Sequence, residues 1–146
     1  MKYFLILLAI TAGAVLPLQA GLNAKMAKAL ADPVYAAFIS FVIGSLALLL
    51  YLLATRTELG TLGAVRSLHW SVWLAGILGG FYVACVVILA PKLGVALTFG
   101  LVVAGQLSLS LIIDHYGLLG IPVSSLNWQK VLGVLLIIAG VMFIRK

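Results

Sequence analysis

Six polar side chains stand inside stretches of this sequence that are otherwise almost entirely apolar, and they are its candidates for chemistry. They are Gln19, Asn23, Tyr82, Gln106, Ser110 and Asp114. Amide, hydroxyl and carboxyl groups can bind solutes by hydrogen bonds or carry protons, and in hydrocarbon every unpaired polar group costs free energy. We therefore expect these six residues to mark a path for a solute across a membrane.

Spacing divides five of these residues into two groups. Gln19 and Asn23 are four residues apart, so helical geometry puts both amides on one face. Gln106, Ser110 and Asp114 follow at four-residue steps and predict a polar stripe that runs from the middle of a helix to its end. A structural interpretation remains open for each group, because amides and hydroxyls also join neighbouring helices by hydrogen bonds.

Three single residues have structural alternatives of their own. Asn23 can cap the end of a helix, and the Tyr82 ring can serve packing alone. Asp114 can be a boundary residue that pairs with His115 or with a loop lysine rather than a proton carrier. His69, beside Trp70, is expected at the membrane interface.

The composition excludes a soluble globular domain. The chain has 146 residues, of which 65% are hydrophobic and 8% are charged, whereas soluble domains average about 25% charged residues. A single cysteine, Cys85, cannot form an internal disulfide, and no His or Cys cluster has the spacing of a metal site. We expect no cofactor, no metal and no nucleic acid as partner, and the chain is not expected to be an enzyme.

Four charge-free stretches, and a shorter fifth one that has Lys130 one turn inside its start, predict an all-α integral membrane protein with five transmembrane helices. We place these helices at about 3–24, 33–55, 69–90, 93–113 and 128–144, with an interfacial loop at 114–127, in a single transmembrane domain of residues 1–146. The first stretch is too long for a signal-peptide core, so it is expected to remain as a helix. Lys130, near the start of the last helix, is expected to turn its ammonium toward the headgroups.

Small residues recur at helical spacing along three of the predicted helices. Stripes of this kind let helix backbones approach closely, so they predict helix packing or dimer contacts. The residues are Gly76, Gly80, Gly100, Ala104, Gly133 and Gly140.

Basic residues are divided almost evenly between the two membrane faces. The face of the N-terminus holds four, Lys2, Arg56, Arg66 and Lys130, and the opposite face holds five, Lys25, Lys28, Lys92, Arg145 and Lys146. Orientation normally follows an excess of Lys and Arg on the cytoplasmic side. Two hypotheses follow: either helix hydrophobicity or the insertion machinery fixes the orientation, or the chain inserts both ways and pairs with an inverted copy of itself.

Three segments carry a resemblance to a known family: PLQAGLNA at 17–24, VAGQL at 103–107 and IDHYG at 113–117. With Gly133 and Gly140, they make the chain resemble, essentially end to end, the YdcZ-type inner-membrane exporters of the drug/metabolite transporter superfamily. The resemblance implies half of a ten-helix transporter with inverted repeats, located in a prokaryotic plasma (inner) membrane. It also implies that the first four helices line the substrate path and that the fifth contributes dimer contacts.

The chain is also similar to the small multidrug-resistance proteins in size and in expected inverted pairing. It differs from them in having a fifth helix and in lacking a membrane-embedded Glu in its first helix. No predicted span has a central acidic or basic residue, which favours either a neutral, zwitterionic or weakly polar substrate or coupling through Asp114 alone.

The sequence therefore predicts a secondary-active transporter that moves a small metabolite or drug-like solute by alternating access, as an antiparallel, dual-topology homodimer in the lipid bilayer. Two alternatives remain at this point: one subunit of a heterodimeric transporter, and a membrane assembly or regulatory protein that transports nothing.

Overall fold

A computed structural model describes residues 1–57 and 59–145, and this part of the chain is all-α. Lys146, one of the basic residues assigned to the face opposite the N-terminus, lies outside the described residues. The helices are α1 Lys2–Leu30, α2 Pro33–Ala54, α3 Leu74–Leu93, α4 Val95–Tyr116 and α5 Trp128–Ile144. Short 3₁₀ segments occupy Leu59–Ser67, Trp70–Trp73 and Leu118–Gly120.

The five helices correspond to the five predicted spans, which confirms a five-helix membrane protein. Four helical stretches are long and apolar enough to cross a bilayer, namely α1, α2, Trp70–Leu93 and α4. The fifth, α5, is a shorter apolar helix. Large apolar side chains are widely exposed along these helices, as expected for surfaces that face lipid rather than water.

The first helix is longer than the predicted 3–24, because it continues without a break to Leu30. Lys25 and Lys28 therefore lie on its last turns rather than in a loop. Lysines near a helix C-terminus interact favourably with the exposed carbonyl groups there, so these charges extend the helix instead of ending it.

A two-residue turn joins α1 to α2 and makes a tight helical hairpin. Ala31 closes α1 in the left-handed region with φ 55°. The Asp32 Oδ1 atom then accepts hydrogen bonds from the backbone N–H groups of Val34 (2.6 Å) and Tyr35 (3.2 Å). Pro33 occupies the first position of α2, where its missing N–H costs nothing.

The chain separates into two compact units, residues 1–91 and 92–146, and each has its own buried residues. In the first unit the buried side chains are mostly small, and they are Ala20, Asn23, Ala36, Ala37, Val86, Val87 and Ala90. In the second unit α4 packs against α5, and the buried residues are Thr98, Ala104 and Val141. Small residues inside and large ones outside are typical of helix packing in membranes.

Candidate functional site

A partly polar cleft of about 270 Å³ lies among the first three helices, and we call it the Gln19 cleft. Gln19 from α1 faces residues of α2, and Val83 of α3 completes the wall. The lining residues are Gln19, Ser40, Phe41, Gly44, Ser45, Leu48 and Val83. The cleft thus combines one amide and two hydroxyl groups with a largely apolar wall.

The Gln19 cleft lies well inside the helices that form it, away from their ends. Gln19 is eleven residues before the end of α1 at Leu30, which is about 16 Å at about 1.5 Å per residue. Ser45 is twelve residues after the start of α2 at Pro33, about 18 Å on the same scale. Both side chains therefore lie well inside their helices, far from the α1–α2 turn.

Asn23 is the most deeply buried polar residue of the first unit. It is 4% exposed, and its Nδ2 atom has no hydrogen-bond partner among the described residues. Because α1 and α2 are antiparallel around the turn at Ala31 and Asp32, Asn23 lies at the depth of Ser40. Gln19, one turn earlier on the same face, is at the depth of Gly44 by the same register, and both Ser40 and Gly44 line the cleft.

Tyr82 of α3 carries a second buried polar atom without a partner in the described part of the chain. Its hydroxyl oxygen is inaccessible and accepts or donates no hydrogen bond there. The next residue along the helix, Val83, lines the Gln19 cleft. The first unit therefore leaves two buried hydrogen-bonding groups unsatisfied, on two different helices.

A second, apolar cleft of about 260 Å³ lies between α2 and α3. Gly80 and Ala84 line it from α3, and Phe38 and Phe41 from α2. A methyl group on the neighbouring Gly79 would lie 3.4 Å from the Phe41 ring. Gly76, the other glycine predicted to serve packing on this helix, has open space where a side chain would project.

In the second unit the predicted polar stripe of α4 is only partly buried. Gln106 and Ser110 are exposed, and Asp114, in the last helical turn, is half-buried. Ser108, which lies between Gln106 and Ser110, donates a 2.8 Å hydrogen bond to the Ala104 carbonyl of its own helix. The stripe therefore presents an amide and a hydroxyl group on an open face of α4.

At Gly100, α4 lies close against α5. A methyl group added there would lie 2.8 Å from Cγ2 of Val141, and Ala104, one turn further along, is buried. A methyl group added at Gly133 or Gly140 of α5 would have no neighbouring atom within 4 Å among the described residues. Only part of the predicted small-residue set thus lies at a helix contact within this unit.

Hydrogen bonds join the loop that follows α4 to the end of α4 and to the start of α5. The Lys130 ammonium donates to the Ser124 carbonyl (3.1 Å), the Ser124 hydroxyl (2.7 Å) and the Ser125 carbonyl (2.9 Å). His115 Nδ1 accepts from the Leu126 N–H at 3.3 Å, and the Asp114 carbonyl accepts from the Ser124 N–H at 2.8 Å. The Lys130 ammonium thus binds three oxygen atoms of the predicted interfacial loop.

Two cleft residues, Ser40 and Ser45, are not among the candidates that the sequence singles out. Serine is common in membrane helices, so its presence alone carries little information. The hairpin register could have identified them. Once the turn is placed at residues 31 and 32, the side-chain amides of Gln19 and Asn23 lie at the same depth as the middle of α2. Across residues 1–57 and 59–145, no group of three His, Cys, Asp or Glu side chains is arranged to hold a metal ion.

Comparison with known proteins identifies the family to which the chain belongs. A family model described as "Putative inner membrane exporter, YdcZ" matches residues 4–143. No curated protein and no solved structure matches the chain. The family match covers nearly the whole chain and at least most of each of the five helices, which also fits a multi-pass location in the inner membrane. The chain therefore belongs to the YdcZ family of inner-membrane exporters.

Proposed function

We propose that the chain is a secondary-active exporter that moves a small solute by alternating access as an antiparallel homodimer. One observation carries the proposal: in a chain of an exporter family, three helices line an open, partly polar cleft inside the predicted membrane spans. Substrate sites of secondary transporters typically lie within the membrane, at the interface between the two repeats. Gln19, Asn23 and Tyr82 belong to the path in the first unit, and Gln106, Ser110 and Asp114 in the second.

The charge balance supports the antiparallel arrangement. Four basic residues on one face against five on the other provide almost no bias for a single orientation. Five spans are an odd number, so one chain supplies half of an inverted-repeat transporter, and an inverted second copy supplies the other half.

The open face of α4 supports a partner in the membrane. Gln106 is eleven residues into α4, which begins at Val95, so it lies about 16 Å from the helix start. An exposed amide at that depth has no water to bind, and leaving it unpaired in hydrocarbon is unfavourable. In the homodimer this face is turned toward the solute path rather than toward lipid.

The orientation of the chain in cells tests the homodimer directly. A single cysteine is added after Lys146 in a Cys85→Ala background, and intact cells are treated with a membrane-impermeant thiol reagent before and after permeabilisation. We expect about half of the chains to react from outside, because both orientations are inserted. A control variant with the cysteine inserted before Lys2 should give the complementary fraction, because five spans put the termini on opposite faces.

Labelling from one side only would overturn the homodimer of inverted copies. The chain would then need an oppositely oriented relative as its partner. Full labelling after permeabilisation confirms that the added cysteine is reactive in every chain, so a one-sided result could not be attributed to a hidden thiol.

A further inference from the structure

We propose that the Gln19 cleft binds an uncharged, largely apolar solute that carries a group able both to donate and to accept hydrogen bonds, such as a primary amide. The inference rests on the proposed function, because it names the substrate class for the same path. Three properties of the lining residues carry it: polar groups without partners, a wall without charge, and a space left open at Gly44.

The polar side chains of the cleft wall form no hydrogen bond within the described part of the chain. They are the amide of Gln19 and the hydroxyl groups of Ser40 and Ser45. Other hydroxyl groups on the membrane helices are satisfied by their own helix, since those of Thr11 and Thr98 donate to the carbonyl four residues earlier at 2.9 and 2.8 Å. An unpaired amide or hydroxyl group in hydrocarbon is unfavourable, so the cleft offers three groups that a solute can satisfy.

These three groups are accessible from the cleft. Gln19 and Ser40 are half-buried and Ser45 is exposed. None of their polar atoms is sealed off in the way that Nδ2 of Asn23 is. A solute that occupies the cleft therefore meets an amide and two hydroxyl groups without any rearrangement of the helices.

The lining residues of α2 form one continuous helix face. They follow the spacing i, i+1, i+4, i+5 and i+8, which is typical of a single helical stripe, and they are Ser40, Phe41, Gly44, Ser45 and Leu48. Ser40 and Ser45 are five residues apart, about 7.5 Å along the helix axis. Gln19 lies between them in depth, because the hairpin register puts it level with Gly44. A molecule of single-ring length can thus contact all three polar groups.

Among the described residues, the cleft wall contains no ionisable side chain. A charged solute would lose its water of hydration there without meeting an opposite charge, which is strongly unfavourable inside the hydrocarbon region. A neutral amide or hydroxyl group exchanges its hydrogen bonds with water for hydrogen bonds with the wall. The cleft therefore selects against both cations and anions.

The space in front of Gly44 is free for a solute. Gly44 lines the cleft, and a methyl group added there would have no neighbouring atom within 4 Å among the described residues. The cleft volume of about 270 Å³ is equivalent to roughly nine water molecules at about 30 Å³ each. Phe41, Leu48 and Val83 provide the apolar surface. A single ring that bears one primary amide matches this volume and this division of polar and apolar contacts.

The probe for the test is 4-fluorobenzamide, and the sample is the purified full-length protein in lipid nanodiscs. Fluorine NMR relaxation reports the bound fraction, with empty nanodiscs subtracted, and we expect saturable binding. Three competitors have nearly the shape of benzamide: benzamidine is a cation, benzoate is an anion, and α-methylstyrene has neither charge nor polar group. Each should compete about tenfold more weakly than benzamide, at equal concentrations in the bilayer as measured on empty nanodiscs.

The Gly44→Leu variant tests whether the probe occupies the cleft. The new side chain fills the cleft from a position where it disturbs no packing contact, so binding should weaken at least about tenfold. Gly13→Leu is the matched control, because it adds the same side chain at another open position on α1 that does not line the cleft. It should bind the probe as the wild type does.

The Gln19→Leu variant tests the hydrogen bond. It removes the amide at nearly constant volume and should weaken binding of 4-fluorobenzamide about tenfold. Gln129→Leu, an amide replaced at an exposed position in the first turn of α5, is the matched control and should leave the affinity unchanged. Size-exclusion profiles and helical circular dichroism establish that each variant is folded.

Three outcomes would overturn the ligand class or its site. They are the absence of saturable binding to the wild-type protein, equal competition by a charged or purely apolar competitor, and unchanged affinity in folded Gly44→Leu and Gln19→Leu proteins. If binding is absent and Gly44→Cys in a Cys85→Ala background forms disulfide-linked dimers, a second copy of the chain covers the cleft instead. One-sided labelling of the C-terminal cysteine would overturn the homodimer while leaving a binding result standing, so the two failures are distinguishable.

Discussion

At the residue scale, Gln106 presents a primary amide on the open face of α4, near the middle of this 22-residue helix. We predict that Gln106→Leu abolishes transport and leaves the dimer intact, because a path residue acts on the solute rather than on the fold. The measurement is flux of a screened solute into proteoliposomes, with cross-linking to report the dimer. Gln129→Leu is the matched control, and normal transport by Gln106→Leu would show that the amide serves helix association only.

The Tyr82 hydroxyl offers a second test at this scale, because it is buried without a partner among the described residues. We predict that Tyr82→Phe lowers transport while leaving the unfolding free energy unchanged or raising it by up to about 1 kcal/mol, since no hydrogen bond is lost and a desolvated group is removed. Thermal unfolding in detergent measures the stability. Tyr35→Phe, at an exposed position, is the control, and a clear loss of stability in Tyr82→Phe alone would mean that the hydroxyl has a structural partner.

At the scale of elements, the packing of α4 against α5 depends on the absence of a side chain at Gly100. We predict that Gly100→Ala destabilises the protein by about 1–3 kcal/mol, because the new methyl group would lie 2.8 Å from Val141 Cγ2. Val141→Ala should restore much of the loss in the double variant. Gly105→Ala is the matched control, since nothing lies within 4 Å of its added methyl, and equal effects at the two glycines would contradict this packing.

The loop between α4 and α5 is held in part by one ammonium group. Lys130 donates to Ser124 twice and to Ser125 once. We predict that Lys130→Met accelerates amide hydrogen exchange in residues 121–127 about fivefold, a loss of about 1 kcal/mol for hydrogen bonds in a partly exposed setting. Lys92→Met, at an exposed position on α3, should leave exchange in this loop unchanged, and similar exchange in both variants would contradict the role of Lys130.

At the scale of the whole molecule, the even distribution of basic residues makes orientation easy to bias. Removing three positive charges from one face, by Lys25→Gln, Lys28→Gln and Lys92→Gln, leaves four basic residues against two and should orient nearly all chains one way. Arg56→Gln with Arg66→Gln leaves two against five and should orient them the other way. Each variant alone is expected to lose transport, because inverted pairs no longer form. Co-expression of the two should restore it, and full activity of either variant alone would exclude the need for inverted copies.

The number and type of the helices could be predicted from the sequence, whereas their ends could be predicted less well. Charge-free stretches of membrane length leave little choice but a helix, since lipid satisfies no backbone hydrogen bond. The predicted end of α1 is too early because a boundary drawn at Lys25 ignores that a lysine is compatible with a helical turn near the membrane surface. The helix α3 begins at Leu74, later than the predicted residue 69, because a short 3₁₀ turn comes before it. The Nδ1 atom of His69 caps this turn by accepting a hydrogen bond from the Ser71 N–H.

Composition and periodicity were enough to establish a five-helix membrane protein and to select amides and hydroxyls that do not belong in hydrocarbon, because both depend on local chemistry along the chain. The Gln19 cleft could not be predicted from composition and periodicity. Its wall combines Gln19 with Ser40, Ser45 and Val83, which are brought together by the Ala31–Asp32 turn and the packing of three helices. Partners across helices depend on register and rotation, which are properties of the folded hairpin rather than of any one segment.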